Sequence, residues 1–172
     1  MTKLSEHFSL EEFTFSETAN KYGIKNMPTA AHLNTMKHTC NYLLEPLRNL
    51  LCKEYKTIVY IKITSGYRSA ALNAKLPGAS STSAHCKGEA ADLEAYYFVN
   101  NKKIIIQYTT LYELIKKWVK EKKISVDQCI CEKSGIAVWV HVAHSSWGKT
   151  RDRHQFLKYN GKSYVLDTVI KW

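Results

Sequence analysis

Apolar positions along the chain switch between a helical period and an alternating one. Leu33, Met36, Cys40, Leu43, Leu44, Leu47 and Leu51 recur at helical spacing and predict a long helix with one buried face. Pro46 lies inside that stripe and must kink the helix or split it, since it has no N–H to donate. Upstream, Ser9 and Glu12 have capping-box spacing, with Phe8 and Phe13 placed as a hydrophobic staple, so a short helix is expected to start there. A later stripe of Leu111, Leu114, Ile115, Trp118 and Val119 predicts another helix, with Thr110 and Glu113 as its capping box.

The extended segments fall between these helices. Residues 58–64 read as a buried strand ended by Ser65-Gly66. Residues 90–97 place Ala90, Asp92 and Glu94 on one face and Ala91 and Leu93 on the other. Residues 126–132 and 136–143 form two more strands, joined through Lys133-Ser134-Gly135, and Asn160-Gly161 signals a two-residue hairpin turn. No repeat and no linker interrupts the pattern. The expectation is one α+β domain over residues 1–172, a small antiparallel sheet packed with helices.

Composition narrows the classes. Hydrophobic residues make up 45% of 172, enough for a substantial core and too many for a disordered chain. No apolar run is long enough to span a bilayer, and residues 1–7 lack the apolar core of a signal peptide. Synthesis in the cytoplasm is expected, with any action elsewhere depending on release. Five cysteines, Cys40, Cys52, Cys86, Cys129 and Cys131, show no disulfide-framework spacing and read as reduced thiols. The net charge of +10 attracts polyanions, of which nucleic acid and an anionic cell-wall polymer are two. No helix-turn-helix, zinc-finger or RNA-binding signature accompanies it, so specific nucleic-acid binding is not expected.

The candidate chemistry lies in two segments. Ser83-Ala84-His85-Cys86-Lys87-Gly88-Glu89-Ala90-Ala91-Asp92 sets a histidine and an aspartate across a glycine turn. Trp139-Val140-His141-Val142 adds a second histidine on a strand. Two imidazoles and one carboxylate form the ligand set of a catalytic zinc site, which keeps a fourth position open. His144, three residues beyond His141, points to the opposite face of a regular strand and reads as a supporting or surface residue. His7, His32, His38 and His154 default to ordinary surface or helix positions. Glu132 is the candidate general base, because it ends the strand preceding that of His141. Arg68, at the end of a strand in Ser65-Gly66-Tyr67-Arg68-Ser69, suits a developing oxyanion or a substrate carboxylate.

These pieces, together with Leu72-Asn73 and Asp127-Gln128-x-x-x-Glu132, resemble the murein-cleaving zinc DD-carboxypeptidase family, which shares its fold with the hedgehog signalling domain. The segments Leu4 to Phe13 and Leu44-Glu45-Pro46-Leu47-Arg48 look like phage and prophage members. The resemblance implies Zn2+ held by His85, Asp92 and His141, with Arg68 and Ser83 near the substrate. It further implies a monomeric peptidase acting on peptidoglycan stem peptides at the cell wall, released by lysis or carried in a phage particle. The bond cut is left open among D-Ala-D-Ala carboxypeptidase, dipeptidase and L-Ala-D-Glu endopeptidase types. Many relatives carry the catalytic glutamate three residues before the last histidine ligand, where this chain has Val138. The alternative is therefore an inactive, zinc-stabilised wall-binding or virion module. Lys149, Arg151 and Arg153 are candidate contacts to an anionic wall polymer.

Overall fold

The computed structural model describes residues 2–146 and 151–172. The long apolar stripe forms one helical rod: α3 (Ala30–Thr39), a single π-helical turn (Cys40–Leu44) and α4 (Glu45–Tyr55). Met36, Cys40, Leu43, Leu44, Leu47 and Leu51 are all fully buried. The π turn settles the question of Pro46. The Glu45 N–H reaches back to Cys40 O, and Pro46 falls in the opening turn of α4, where an N–H is not needed.

Two short helices precede the rod, α1 (Leu10–Thr14) and α2 (Glu17–Lys21). The expected capping box closes α1: the Ser9 N–H donates to the Glu12 carboxylate at 2.8 Å, and the Glu12 N–H donates to Ser9 Oγ at 3.3 Å. Phe8 and Phe13 are both buried in the core. The remaining helices are α5 (Ala70–Lys75) and α6 (Tyr108–Lys120). The Thr110–Glu113 capping box does not form. The helix begins earlier, with Gln107 as an N-cap that makes no side-chain bond, so Thr110 already lies inside it.

The α+β expectation is realised as helices on a seven-stranded, mostly antiparallel sheet. Its strands are β1 (Val59–Ser65), β2 (Ala90–Val99), β3 (Lys102–Ile106), β4 (Gln128–Ser134), β5 (Ala137–Ala143), β6 (Gln155–Tyr159) and β7 (Tyr164–Val169). The order is β1-β2-β5-β4-β6-β7, with β3 beside β2, and only the β4–β6 pair is parallel. Helix α4 contacts β1, and α6 contacts β4 and β5. Under them the inward residues Ile63, Leu93, Cys129, Val140, Val142 and Phe156 form the core.

Three details of the sheet differ from the sequence reading. Strand β1 is not buried on both faces: Val59, Ile61 and Ile63 point inward, while Tyr60 and Lys62 are exposed. Strand β3 was not anticipated. It is turned back by Asn100 and Asn101, both with positive φ (47° and 61°), a conformation asparagine tolerates better than most residues. The β6–β7 hairpin uses residues 160–163 rather than a two-residue turn. The Asn160 side chain accepts from the N–H groups of Lys162 and Ser163 at 3.0 and 2.9 Å.

Candidate metal centre

The register of β2 and β5 sets Asp92 directly opposite His141, so both side chains leave the outer face of the sheet together. His141 Nδ1 lies 2.9 Å from Asp92 Oδ1. The third residue, His85, sits on a short 3₁₀ turn (Ala84–Lys87) that Gly88 ends with φ 75°. A Cβ on Gly88 would lie 2.6 Å from Met36 Cγ and 3.0 Å from His32 O, so only glycine lets the turn rest on α3. Thr39 fixes it there by donating to Gly88 O at 2.9 Å.

His85 Nδ1 lies 2.7 Å from Gly66 O. A carbonyl only accepts, so Nδ1 carries the hydrogen and Nε2 presents its lone pair to the site. That Nε2 is 3.2 Å from His141 Nδ1 and 3.3 Å from Asp92 Oδ1. Two ring nitrogens and a carboxylate oxygen thus form a buried triangle. Ligands bound at about 2.0–2.1 Å and tetrahedral angles would stand about 3.3–3.4 Å apart, so the triangle fits a zinc ion with little expansion. Charge fits as well. Burial would raise the Asp92 carboxyl, but His85 and His141 hold it well below the usual carboxylate range. Burial pushes His85 below the ordinary imidazole value. An ionised carboxylate and a neutral imidazole are the protonation states that bind metal.

Arg68 follows β1 and places Nη2 3.5 Å from Asp92 Oδ2, while its main-chain N–H donates to His85 O at 3.2 Å. Its Nε is buried without a hydrogen-bond partner. Ser83 immediately precedes the His85 turn, half-buried, and its hydroxyl makes no hydrogen bond among the described residues. Glu132 stands on β4. Ile130 is the residue opposite His141, so Glu132 occupies the next outward position, about 7 Å along the strand. It is buried, and burial followed by the charge of Asp92 raises its carboxyl above the usual range. The Tyr164 hydroxyl, from β7, reaches Glu132 Oε2 at 3.4 Å. Val138 is an odd number of residues from His141 and leaves the opposite face of β5.

The model of the Peptidase M15 family matches residues 6–111, more than half of the 172. The chain belongs to the Peptidase M15 family. Within that match lie Arg68, Ser83, His85 and Asp92; Glu132 and His141 lie beyond it and are brought to the same sheet face by β4 and β5. No curated protein and no solved structure gives a significant match.

Other histidines, cysteines and basic residues of the chain stand apart from this candidate site. His144 is buried, and its Nδ1 contacts Asp152 Oδ2 at 2.7 Å. His154 is no surface residue: it is buried, stacks on Trp172 at 4.2 Å between ring centroids, and meets Ser125 Oγ at 3.1 Å. Cys86 is half-buried outside the ligand triangle, and all five cysteines are free thiols. Arg153 is engaged by Asp127 through two bonds of 2.9 and 2.6 Å, which blunts it as a wall contact. Lys149 lies outside the described residues. Among the described residues no helix is long and apolar enough to cross a membrane. The sequence reading missed Tyr164 and the Gly66 carbonyl. Nothing local marks either, because one arrives through the β6–β7 hairpin and the other acts through its main chain.

Proposed function

We infer that the protein, as a single domain, is a zinc-dependent peptidase that hydrolyses peptidoglycan stem peptides. The observation that carries this reading is the buried triangle of His85 Nε2, Asp92 Oδ1 and His141 Nδ1 in an M15 chain. Zinc held there supplies a Lewis acid for the scissile carbonyl and lowers the pKa of a water. Glu132 serves as the base. Its raised pKa suits it to accept a proton near neutral pH and return it to the leaving amine. Tyr164 orients the carboxylate from the far side. Arg68, with Nε unpartnered, steadies the oxyanion or a neighbouring substrate carboxylate, and the Ser83 hydroxyl faces substrate.

The same reading takes the enzyme as monomeric, with anionic wall polymer as a secondary partner. Its setting is phage or prophage cell-wall lysis, on the strength of the N-terminal resemblance. The inactive wall-binding alternative leaned on Val138. That position points away from the triangle, whereas a buried carboxylate with a raised pKa occupies the outer face at Glu132. Purified muropeptides incubated with wild type and Glu132→Ala, then read by mass spectrometry, test the proposal. Loss of one alanine by wild type alone means a carboxypeptidase, and release of the stem from its first alanine means an endopeptidase. Binding to sacculi with no cleavage by either protein would establish the inactive module instead.

A further inference from the structure

A cavity of about 400 Å³ opens beside the candidate metal centre, between the α1–α2 turn, strand β1 and helix α5. That volume lies within the range of small-ligand sites, about 300–1,000 Å³. Arg68 belongs to both spaces: it lines the cavity and also reaches Asp92. A group held in the cavity would thus lie one side chain away from the region where a substrate bond would be cut.

The wall has an apolar part and two unmatched charges. Phe15, Leu72 and Leu76 supply the apolar surface. Lys62 leaves the outer face of β1, and its cross-strand neighbour Glu94 is already taken by Lys103 at 2.8 Å. Lys62 accordingly has no ion pair among the described residues. Glu17, in the first turn of α2, lines the same cavity and likewise has neither an ion pair nor a side-chain hydrogen bond there. The sheet order leaves β1 at an edge, so the strand beside the cavity lacks a partner strand on that side.

A free cation and a free anion around one partly apolar cavity complement an aliphatic chain that ends in both a carboxylate and an ammonium. Stem peptides carry such a group in one chemical type. A diaminopimelate residue at the third position ends in a zwitterion, whereas a lysine there ends in an ammonium alone. We propose that this cavity binds the side-chain terminus of the third stem residue and selects the diaminopimelate type, with Lys62 meeting the carboxylate and Glu17 the ammonium. The inference rests on the peptidase reading in its carboxypeptidase or endopeptidase form, since a dipeptide carries no third stem residue. In these two forms one residue separates the third position from the scissile bond, on its N-terminal side for the carboxypeptidase and on its C-terminal side for the endopeptidase.

The test measures binding apart from turnover. Calorimetry on Glu132→Gln protein would compare two tripeptides, Ala-γ-Glu-diaminopimelate and Ala-γ-Glu-lysine. The diaminopimelate peptide should bind roughly three- to tenfold more tightly, the scale of one charge-assisted contact at a partly exposed site. Adding Lys62→Met should bring that ratio close to one. Adding Glu17→Gln should weaken both peptides, because both carry the ammonium. Both substitutions are at exposed positions, and unchanged circular dichroism would confirm that the variants fold. Equal affinities in the Lys62-bearing protein, or a preference that survives Lys62→Met, would overturn the proposal. Muropeptide cleavage by wild type would leave the peptidase reading standing in that event. Absence of both cleavage and tripeptide binding would remove the two together.

Discussion

Two buried groups of the same composition flank the end of β5: His85, His141 and Asp92 on one side, and His144, His154 and Asp152 on the other. Their wiring is opposite. Asp152 is surrounded by donors, from His144 Nδ1 at 2.7 Å, the Ser125 hydroxyl and the Ser145 N–H at 2.8 Å. Ser125 then carries the network on to His154. Each acceptor there meets a donor, so the group is complete without a ligand and serves to pin the chain where it leaves β5. In the first group Gly66 O has claimed the Nδ1 hydrogen of His85, so its Nε2 turns a lone pair on Asp92 Oδ1 and His141 Nδ1, and the three facing atoms hold one hydrogen at most. Residue types do not distinguish a metal centre from a polar clasp. The distinction lies in which atoms remain without hydrogens between them.

The contrast can be broken from either side. The largest effect is expected for His85→Ala and His141→Ala: metal analysis should find roughly one zinc per chain in wild type and none in either variant, with muropeptide cleavage lost as well. Asp152→Ala should instead keep zinc near one per chain and lower stability by about 2–4 kcal/mol in denaturant titration, because buried donors lose their acceptor. Zinc loss in Asp152→Ala at a temperature where the protein remains folded would erase the distinction.

Gly66→Ala acts on the metal group through the main chain. A Cβ would lie 2.5 Å from Phe13 O, forcing the carbonyl that orients His85 to shift. Zinc affinity, measured by competition with a chelating dye, should fall about 10- to 100-fold.

Acid should separate the clasp from the rest of the fold. Burial opposes ionisation of Asp152, but bonds from His144, Ser125 and the Ser145 N–H hold its carboxyl below the ordinary value. A lowered folded pKa contributes stability above the unfolded value of about 3.9, lost as pH falls through the folded one. The stability difference between wild type and Asp152→Asn should therefore be full at neutral pH and shrink below about pH 4. The smallest effect is expected for Tyr164→Phe. Its long bond to Glu132 lowers that carboxyl, so removing it should move the acid limb of the activity profile to higher pH and reduce kcat about two- to threefold.

What the sequence disclosed and what it hid divide along physical lines. Asp92, His141 and Glu132 were legible because strand alternation fixes faces, and a short connection between β4 and β5 puts their residues side by side. His85 was legible because a glycine turn follows it. The ring nitrogen each histidine offers was not, since it depends on a carbonyl 19 residues away in sequence. His154 and Tyr164 were hidden for a related reason. Both depend on the parallel β4–β6 pairing, a crossover that no local pattern announces. Strand β3 was missed because Asn100-Asn101 is a weaker turn signal than asparagine followed by glycine.

The π turn at Cys40–Leu44 lets the rod carry one residue more than a plain α-helix between the same two faces. Each residue of an α-helix advances the chain by about 100° around its axis. The wider i→i+5 turn takes up about that angle, so deleting one residue between 40 and 44 would close it to an α turn and leave the two halves facing much as before. Met36 and Thr39 hold the Gly88 turn from one half of the rod, while Leu47 and Leu51 fill the core from the other. A second residue lost would find no such slack: both halves could not face inward together, and the histidine carried by that turn would lose either its seat or the core beneath it. A one-residue alignment gap at this place in any relative therefore marks a plain α turn with the same histidine seat.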